Sequence, residues 1–191
     1  MKSFLVLAAA LLLALPAAAA DLSAPVILVA KRQLHDRLYG ATILLARPIG
    51  QDQHIGFILN RPTQMTLGQL FPQHAPSRKV VDPVFLGGPI SSESIFALVQ
   101  TSKNPGGRSV KLSDNLFAVV DGKLVDDVIE KDPQHARFVA GLVAWRSGEL
   151  AEEVKRGAWY VLDADPALVL RKPDGLWEEM VRTAEQQANG I

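Results

Sequence analysis

Gly56-Phe57-Ile58-Leu59-Asn60-Arg61-Pro62 and Val84-Phe85-Leu86-Gly87-Gly88-Pro89 are the stretches on which the reading of the fold turns. Each is a short apolar run that stops on residues of special backbone behaviour. Gly56–Leu59 reads as a buried strand. It is ended by Asn60-Arg61-Pro62, because proline cannot donate to a ladder and holds Arg61 in extended geometry. Val84–Leu86 reads as a strand entering a sharp turn at Gly87-Gly88-Pro89.

Working outward, Val26–Ala30 and Thr42–Ala46 are further β-branched-rich runs and read as buried strands. Thr66 suits the N-cap of a short helix through Leu70, and 72–82 is polar and proline-bearing, hence a loop. Ile95–Val99 and Leu116–Val120 add two strands, separated by the turn chemistry of Asn104-Pro105-Gly106-Gly107. Beyond Asp121 the periodicity reads as helical. Lys123–Glu130 forms one helix. Asp132 as N-cap and Pro133 at the first helical position predict another, with Ala136, Val139, Ala140 and Val143 on one stripe and Phe138, Leu142 and Trp145 widening it. Ser147-Gly148 ends it, and Glu149–Arg156 resumes as a shorter helix. Ala158–Leu162 is a late strand, Asp165-Pro166 opens a helical turn, and Asp174–Gln187 is an amphipathic helix carrying Leu176, Met180 and Ala184. Strands first and helices afterwards predict an α+β fold, a large mixed sheet packed with helices in one compact domain; a three-layer α/β sandwich is the alternative.

The 191 residues carry 20 Lys+Arg against 20 Asp+Glu, a formal net charge of zero. A near-neutral chain lacks the basic surface that nucleic acid binding requires. Hydrophobic residues make up 48%, too large a share for disorder. Residues 1–20 read as a secretory signal peptide: Lys2 precedes the apolar run Phe4–Leu15, Pro16 breaks it, and Ala18-Ala19-Ala20 supplies the small-x-small site before Asp21. Cleavage is expected between Ala20 and Asp21. The run rises only about 18 Å as a helix, too short to stay as an anchor. Residues 21–191 are then a single exported domain, periplasmic or secreted. Cysteine is absent, which excludes disulfides and thiolate metal sites.

Signatures of chemistry are few. His35, His54, His74 and His135 show no zinc-helix spacing, and no nucleophile elbow, S-x-x-K, Rossmann glycine pattern or P-loop occurs. No metal or cofactor is expected. Asn104–Ser109 reads as a turn rather than an anion nest. The candidate binding residues are Asn60, Arg61, Gly87 and Gly88 at two strand ends, where polar groups line clefts. There the glycines would expose backbone N–H groups, and Arg61 would present its planar fork to a carboxylate or phosphate. The competing reading has Asn60 and Arg61 bonding turn carbonyls and the glycines satisfying positive φ. Ser91, Ser92 and Glu93 read as a capping segment, and Trp145, Trp159 and Trp177 as core or core-edge aromatics.

Taken in order, Gly56–Pro62, Thr66-Leu67-Gly68-Gln69-Leu70, Val84–Ile90, Ser113-Asp114-Asn115-Leu116, Arg137-Phe138 with Gly141, Trp145, Gly148 and Leu150, Ala158-Trp159 and Asp163-Ala164-Asp165-Pro166 resemble the YqgE/AlgH family of bacterial proteins over roughly residues 25–181. The resemblance implies a compact α+β fold with a large mixed sheet, makes Asn60, Arg61, Gly87, Gly88 and Pro89 family-pattern positions, and supplies no catalytic set. This chain departs from the family's Ala-Gly-Trp-Gly-Pro-Gly-Gln-Leu, reading Val143-Ala144-Trp145-Arg146-Ser147-Gly148-Glu149-Leu150, and Gly157 stands for the usual Asn. The export signal also lies outside the family's usual pattern.

Three functions follow as expectations. The first is an exported, non-catalytic domain that binds a small anionic ligand or an envelope protein. The second is a hydrolase or transferase using Arg61 as an anion clamp beside Glu93 or Asp114. The third, carried only by the family name, is a transcriptional regulator.

Overall fold

The structure is a computed structural model and describes residues 21–189; the signal peptide read at 1–20 lies outside the described residues. Ten strands form one sheet with four helices against it. The strands are β1 (Val26–Ala30), β2 (Ile43–Gly50), β3 (Gln53–Ile58), β4 (Pro62–Thr66), β5 (Pro83–Leu86), β6 (Ile90–Gln100), β7 (Ser109–Ser113), β8 (Leu116–Val119), β9 (Ala136–Trp145) and β10 (Trp159–Asp163). The helices are α1 (Leu67–Leu70), α2 (Gly122–Lys131), α3 (Glu149–Lys155) and α4 (Leu176–Ala188). The main path runs β10-β1-β2-β3-β9-β6-β8-β7, with β4 and β5 branching beside β9. All pairings are antiparallel except β5 with β9. The fold is therefore α+β with a mixed sheet in a single compact domain, as expected.

The apolar runs of β1, β2 and β3 are continuous because both faces of these strands are buried. Ile27, Val29, Ile43, Leu45, Phe57 and Leu59 face a core closed by Leu176, Met180 and Val181 of α4. Val26, Leu28, Leu44, Ala46 and Ile58 face the opposite core with Leu150 of α3, Trp145 and Trp159. A third core under α2 holds Leu67, Val84, Ala97, Val119, Val125, Ile129 and Phe138. The short α1 is fixed by a capping box: Thr66 Oγ1 accepts from Gln69 N, and the Gln69 side chain accepts from Thr66 N.

Several elements differ from the sequence reading, among them the 3-10 turn Ala75–Lys79 within the expected loop 72–82. Residues 136–145 form a strand instead of the expected helix, and only Pro133–His135 makes a single 3-10 turn. From Val139 to Trp145 burial alternates residue by residue, the period of a strand. Ser91, Ser92 and Glu93 lie exposed within β6 and cap no helix. Pro62 starts an edge strand, a position where its missing N–H costs nothing. Ser109–Ser113 adds β7 after the glycine turn.

Strand β9 is the hub of the sheet. Ala136–Ala140 pairs with β6 on one edge, and Val139 and Ala140 pair with β5 on the other. Past Gly141 the second edge passes to β3, through Val143, Ala144 and Trp145. Gly141 has φ +74°, and the strand turns there between its partners. Gly87 and Gly88 cross at that point. A Cβ on Gly87 would lie 2.2 Å from the Gly141 carbonyl oxygen, and one on Gly88 would lie 2.2 Å from the Leu142 carbonyl. Neither of these glycines has positive φ. Their backbones approach closely, as expected of a glycine pair, but what they approach is the chain's own central strand.

Candidate functional site

The polar groups of the four residues singled out from the sequence bond to the chain itself. Asn60 bridges backwards: its Oδ1 accepts from Ile43 N at 2.9 Å and its Nδ2 donates to Ala41 O at 3.0 Å. Arg61 Nη2 donates to Gly40 O at 2.6 Å, so both side chains bond turn carbonyls before β2. Gly87 N donates to Ala140 O at 2.8 Å, and Gly87 O accepts from Ile58 N at 2.9 Å. Together these bonds fix the bend between β3 and β4 against β9. Glu93 is exposed in β6, and the fully exposed Asp114 carboxylate meets Lys111 Nζ at 3.4 Å; neither pairs with Arg61. Among the described residues no carboxylate pairs with Arg61 within 4.0 Å.

What the bend does build is a cleft of about 450 Å³ between β5, the start of β9 and the segment before α4. Pro62, Phe85, Pro133 and Leu170 supply apolar walls, and Arg137 with Lys172 supplies cationic groups. Asp82 and Asp174 stand at the same cleft. The Arg137 guanidinium lies over the Phe85 ring, 4.0 Å from its centroid. Its Nη1 donates to Leu59 O at 2.9 Å and its Nη2 to Arg171 O at 2.8 Å. Those carbonyls belong to the β3 end and to the stretch before α4, so one side chain pins three parts of the chain.

Among the described residues no carboxylate lies within 4.0 Å of this guanidinium. Burial pushes its pKa down to about 10, and the more distant Asp82 opposes that shift without cancelling it. A half-buried cation with only neutral partners retains an uncompensated charge. Two of its five N–H groups are taken by carbonyls, leaving donors for a planar oxyanion. Arg137 was visible as the lone charge in Ala136–Trp145, but reading that run as a helix hid the cleft it serves.

A second constellation has the outline of nucleophile, base and acid. His74 Nδ1 lies 2.8 Å from Ser77 Oγ, and His74 Nε2 lies 3.7 Å from Glu130 Oε1. Ser77 is fully buried, however, so no substrate carbonyl reaches its hydroxyl. The contact anchors the 3-10 turn Ala75–Lys79, in which Ser77 sits. Among the described residues no three His, Cys, Asp or Glu side chains converge as a metal site requires.

By fold the chain is a single α+β domain built on one ten-stranded mixed sheet. Among known proteins the AlgH-like family matches residues 27–189, nearly the whole described chain, and this chain belongs to it. A UPF0301 protein of Streptomyces avermitilis is 29% identical over 164 residues, covering 82% of this chain and 83% of that one. A UPF0301 protein of Chlorobium luteolum is 29% identical over 167 residues, covering 85% and 86%. Two solved structures share the fold. The solution structure of the AlgH protein from Pseudomonas aeruginosa aligns with TM-score 0.69 at 19% identity, covering 87% of this chain and 88% of that one. The crystal structure of DIP2367 from Corynebacterium diphtheriae aligns with TM-score 0.69 at 19% identity, covering 86% and 88%.

Proposed function

We propose that this chain is an exported, non-catalytic binding domain that takes a carboxylate-bearing ligand in the Arg137 cleft. One observation carries the reading: a half-buried guanidinium over an aromatic ring, with no carboxylate within 4.0 Å among the described residues, in a cleft with apolar walls. A ligand carboxylate meets the free edge of Arg137, and its apolar body lies against Phe85, Pro62 and Leu170. Lys172 adds attraction at the rim, while Asp82 and Asp174 disfavour ligands carrying further negative charge nearby. Asn60, Arg61, Gly87 and Gly88 form the frame of this site, since they hold the Leu59 carbonyl and Pro62 where Arg137 needs them. The signal-like residues 1–20 support export, and the near-zero net charge weighs against nucleic acid.

The test is an NMR titration with phenylacetate, a flat apolar monocarboxylate, against 2-phenylethanol, its neutral counterpart. Saturable amide shifts at Phe85, Arg137 and Lys172 are expected with phenylacetate alone. Arg137→Met should weaken that binding at least tenfold, the loss of a charge-assisted pair. Equal response to the alcohol, or unchanged affinity in a folded Arg137→Met, overturns the assignment. Arg61→Ala separates frame from contact, lowering stability while a folded fraction keeps its affinity.

A further inference from the structure

A second cavity, of about 480 Å³, lies between the 31–42 connection and the C-terminal end of α3, and its chemistry is opposite in sign. Tyr39 and Trp159 supply aromatic walls, with Asp36, Glu153 and Arg156 around them. The two rings meet edge to face, centroids 6.2 Å apart and planes at 78°. Glu153 is held by both buried tryptophans of this region. Its Oε2 accepts from Trp159 Nε1 at 2.8 Å and from Trp145 Nε1 at 3.1 Å. Among the described residues Glu153 Oε1 has no hydrogen-bond partner, and Glu153 forms no ion pair within 4.0 Å. The indoles therefore account for one oxygen only, and a carboxylate charge remains at the cavity wall.

The surroundings fix the sign of what fits there. Asp36 Oδ1 accepts from Leu38 N and Tyr39 N, which sets a second carboxylate beside the Tyr39 ring. Burial raises the Tyr39 phenol pKa, and the charges of Glu153, Asp36 and Glu149 raise it further. Of the neighbouring cations, Lys31 is engaged over the Tyr160 ring at 4.8 Å, and Arg156 is exposed at the rim. The carboxylates do not group as a metal site does. Aromatic rings beside fixed carboxylates are the recognition chemistry of organic cations.

The geometry points to a binding site for an organic ammonium ion in this cavity, with Glu153 as its counter-charge and Tyr39 and Trp159 as its aromatic walls. The site stands apart from the Arg137 cleft, shares no lining residue with it, and does not depend on the reading given there. An ammonium group of this kind comes either as a free quaternary amine or as a lysine side chain of a partner protein.

Intrinsic tryptophan fluorescence reports on the site directly, because Trp145 and Trp159 share the Glu153 oxygen. Choline, n-butylammonium as the lysine side-chain mimic, and 3,3-dimethyl-1-butanol as the uncharged shape of choline are titrated at constant ionic strength. A saturable change with a cation and none with the alcohol is expected. The tighter of the two cations assigns the source as free quaternary amine or lysine side chain. Glu153→Gln keeps an acceptor for both indoles but removes the charge, and should weaken cation binding at least tenfold. Should that variant lose its fold by circular dichroism, Tyr39→Leu decides by the same criterion. No saturable change with either cation, an equal response to the alcohol, or unchanged affinity in the folded variant overturns the proposal.

Discussion

At Gly88 an added methyl group would meet the backbone of β9 rather than a movable side chain: the nearest atoms are the Leu142 carbonyl carbon and oxygen, both at 2.2 Å, and Val143 N at 2.6 Å. Backbone in the middle of a sheet cannot yield without breaking its ladder. Gly88→Ala is therefore expected to cost about 3 kcal/mol, the upper range for overpacking, read as a lower urea midpoint with unchanged slope. A loss below about 1 kcal/mol would mean that β9 relaxes at this crossing. Arg137 carries a prediction of a different kind. Its pKa in the fold, about 10, lies below the ordinary guanidinium value because burial disfavours the charge. The folded state thus releases this proton before the unfolded state does, so this group's contribution to stability rises with pH between those two values. Carboxylate binding needs the charged form, so phenylacetate affinity should hold through pH 9 and fall progressively once pH passes about 10. The same NMR titration repeated at pH 8 and pH 11 checks this; equal affinities would show that the charge of Arg137 plays no part.

Among the elements, what was legible depended on whether one periodicity excluded the other. β1 and β10 are legible within one residue of their observed bounds, since short β-branched runs bounded by turn residues fit no helix, whereas β2 runs four residues past the expected Thr42–Ala46. Thr66, Asp165 and the helical stripes of α2 and α4 were equally plain, because caps and amphipathic faces are local features. β9 was not. In Phe138-Val139-Ala140-Gly141-Leu142-Val143 every residue is apolar or small, so spacings of three and four occur beside spacings of two. The Asp132-Pro133 start, which is a true 3-10 turn, tipped the choice toward helix. What decided the outcome is non-local: β6, β5 and β3 all need β9 as partner, and none of them is its sequence neighbour. The candidate site followed the same division. Asn60 and Arg61 stand out in the sequence because they end a strand, and their side chains end it by bonding residues 40–43. Arg137 and Glu153 stand out only once the strands are assembled, because the first needs Phe85 beneath it and the second needs two tryptophans from different strands.

For the whole molecule the question is where it works, and export is a proposal that makes testable demands on the first described residues. Leu22 already belongs to the core beside Trp159 and Val26, and its carbonyl lies 2.9 Å from His54 Nε2. Asp21 accepts hydrogen bonds from the Ser23 backbone and hydroxyl, so it too is engaged locally. Cleavage between Ala20 and Asp21 would remove none of these contacts. None of its described helices is long and apolar enough to cross a membrane, so once cut the body carries no helical span among these residues to hold it at the bilayer. The expected outcome of expressing the full chain in a bacterial host is a processed form in the periplasmic fraction whose N-terminal sequence starts Asp21-Leu22-Ser23. Replacing Leu11, Leu12 and Leu13 with aspartate breaks the apolar run and should leave the uncut chain in the cytosol. If the replacement blocks export and not folding, that trapped chain should still give the near-ultraviolet circular dichroism of the processed form. Uncut wild-type chain in the cytosol, with none in the periplasm, would refute export while leaving the Arg137 cleft and its ligand chemistry to stand on their own tests.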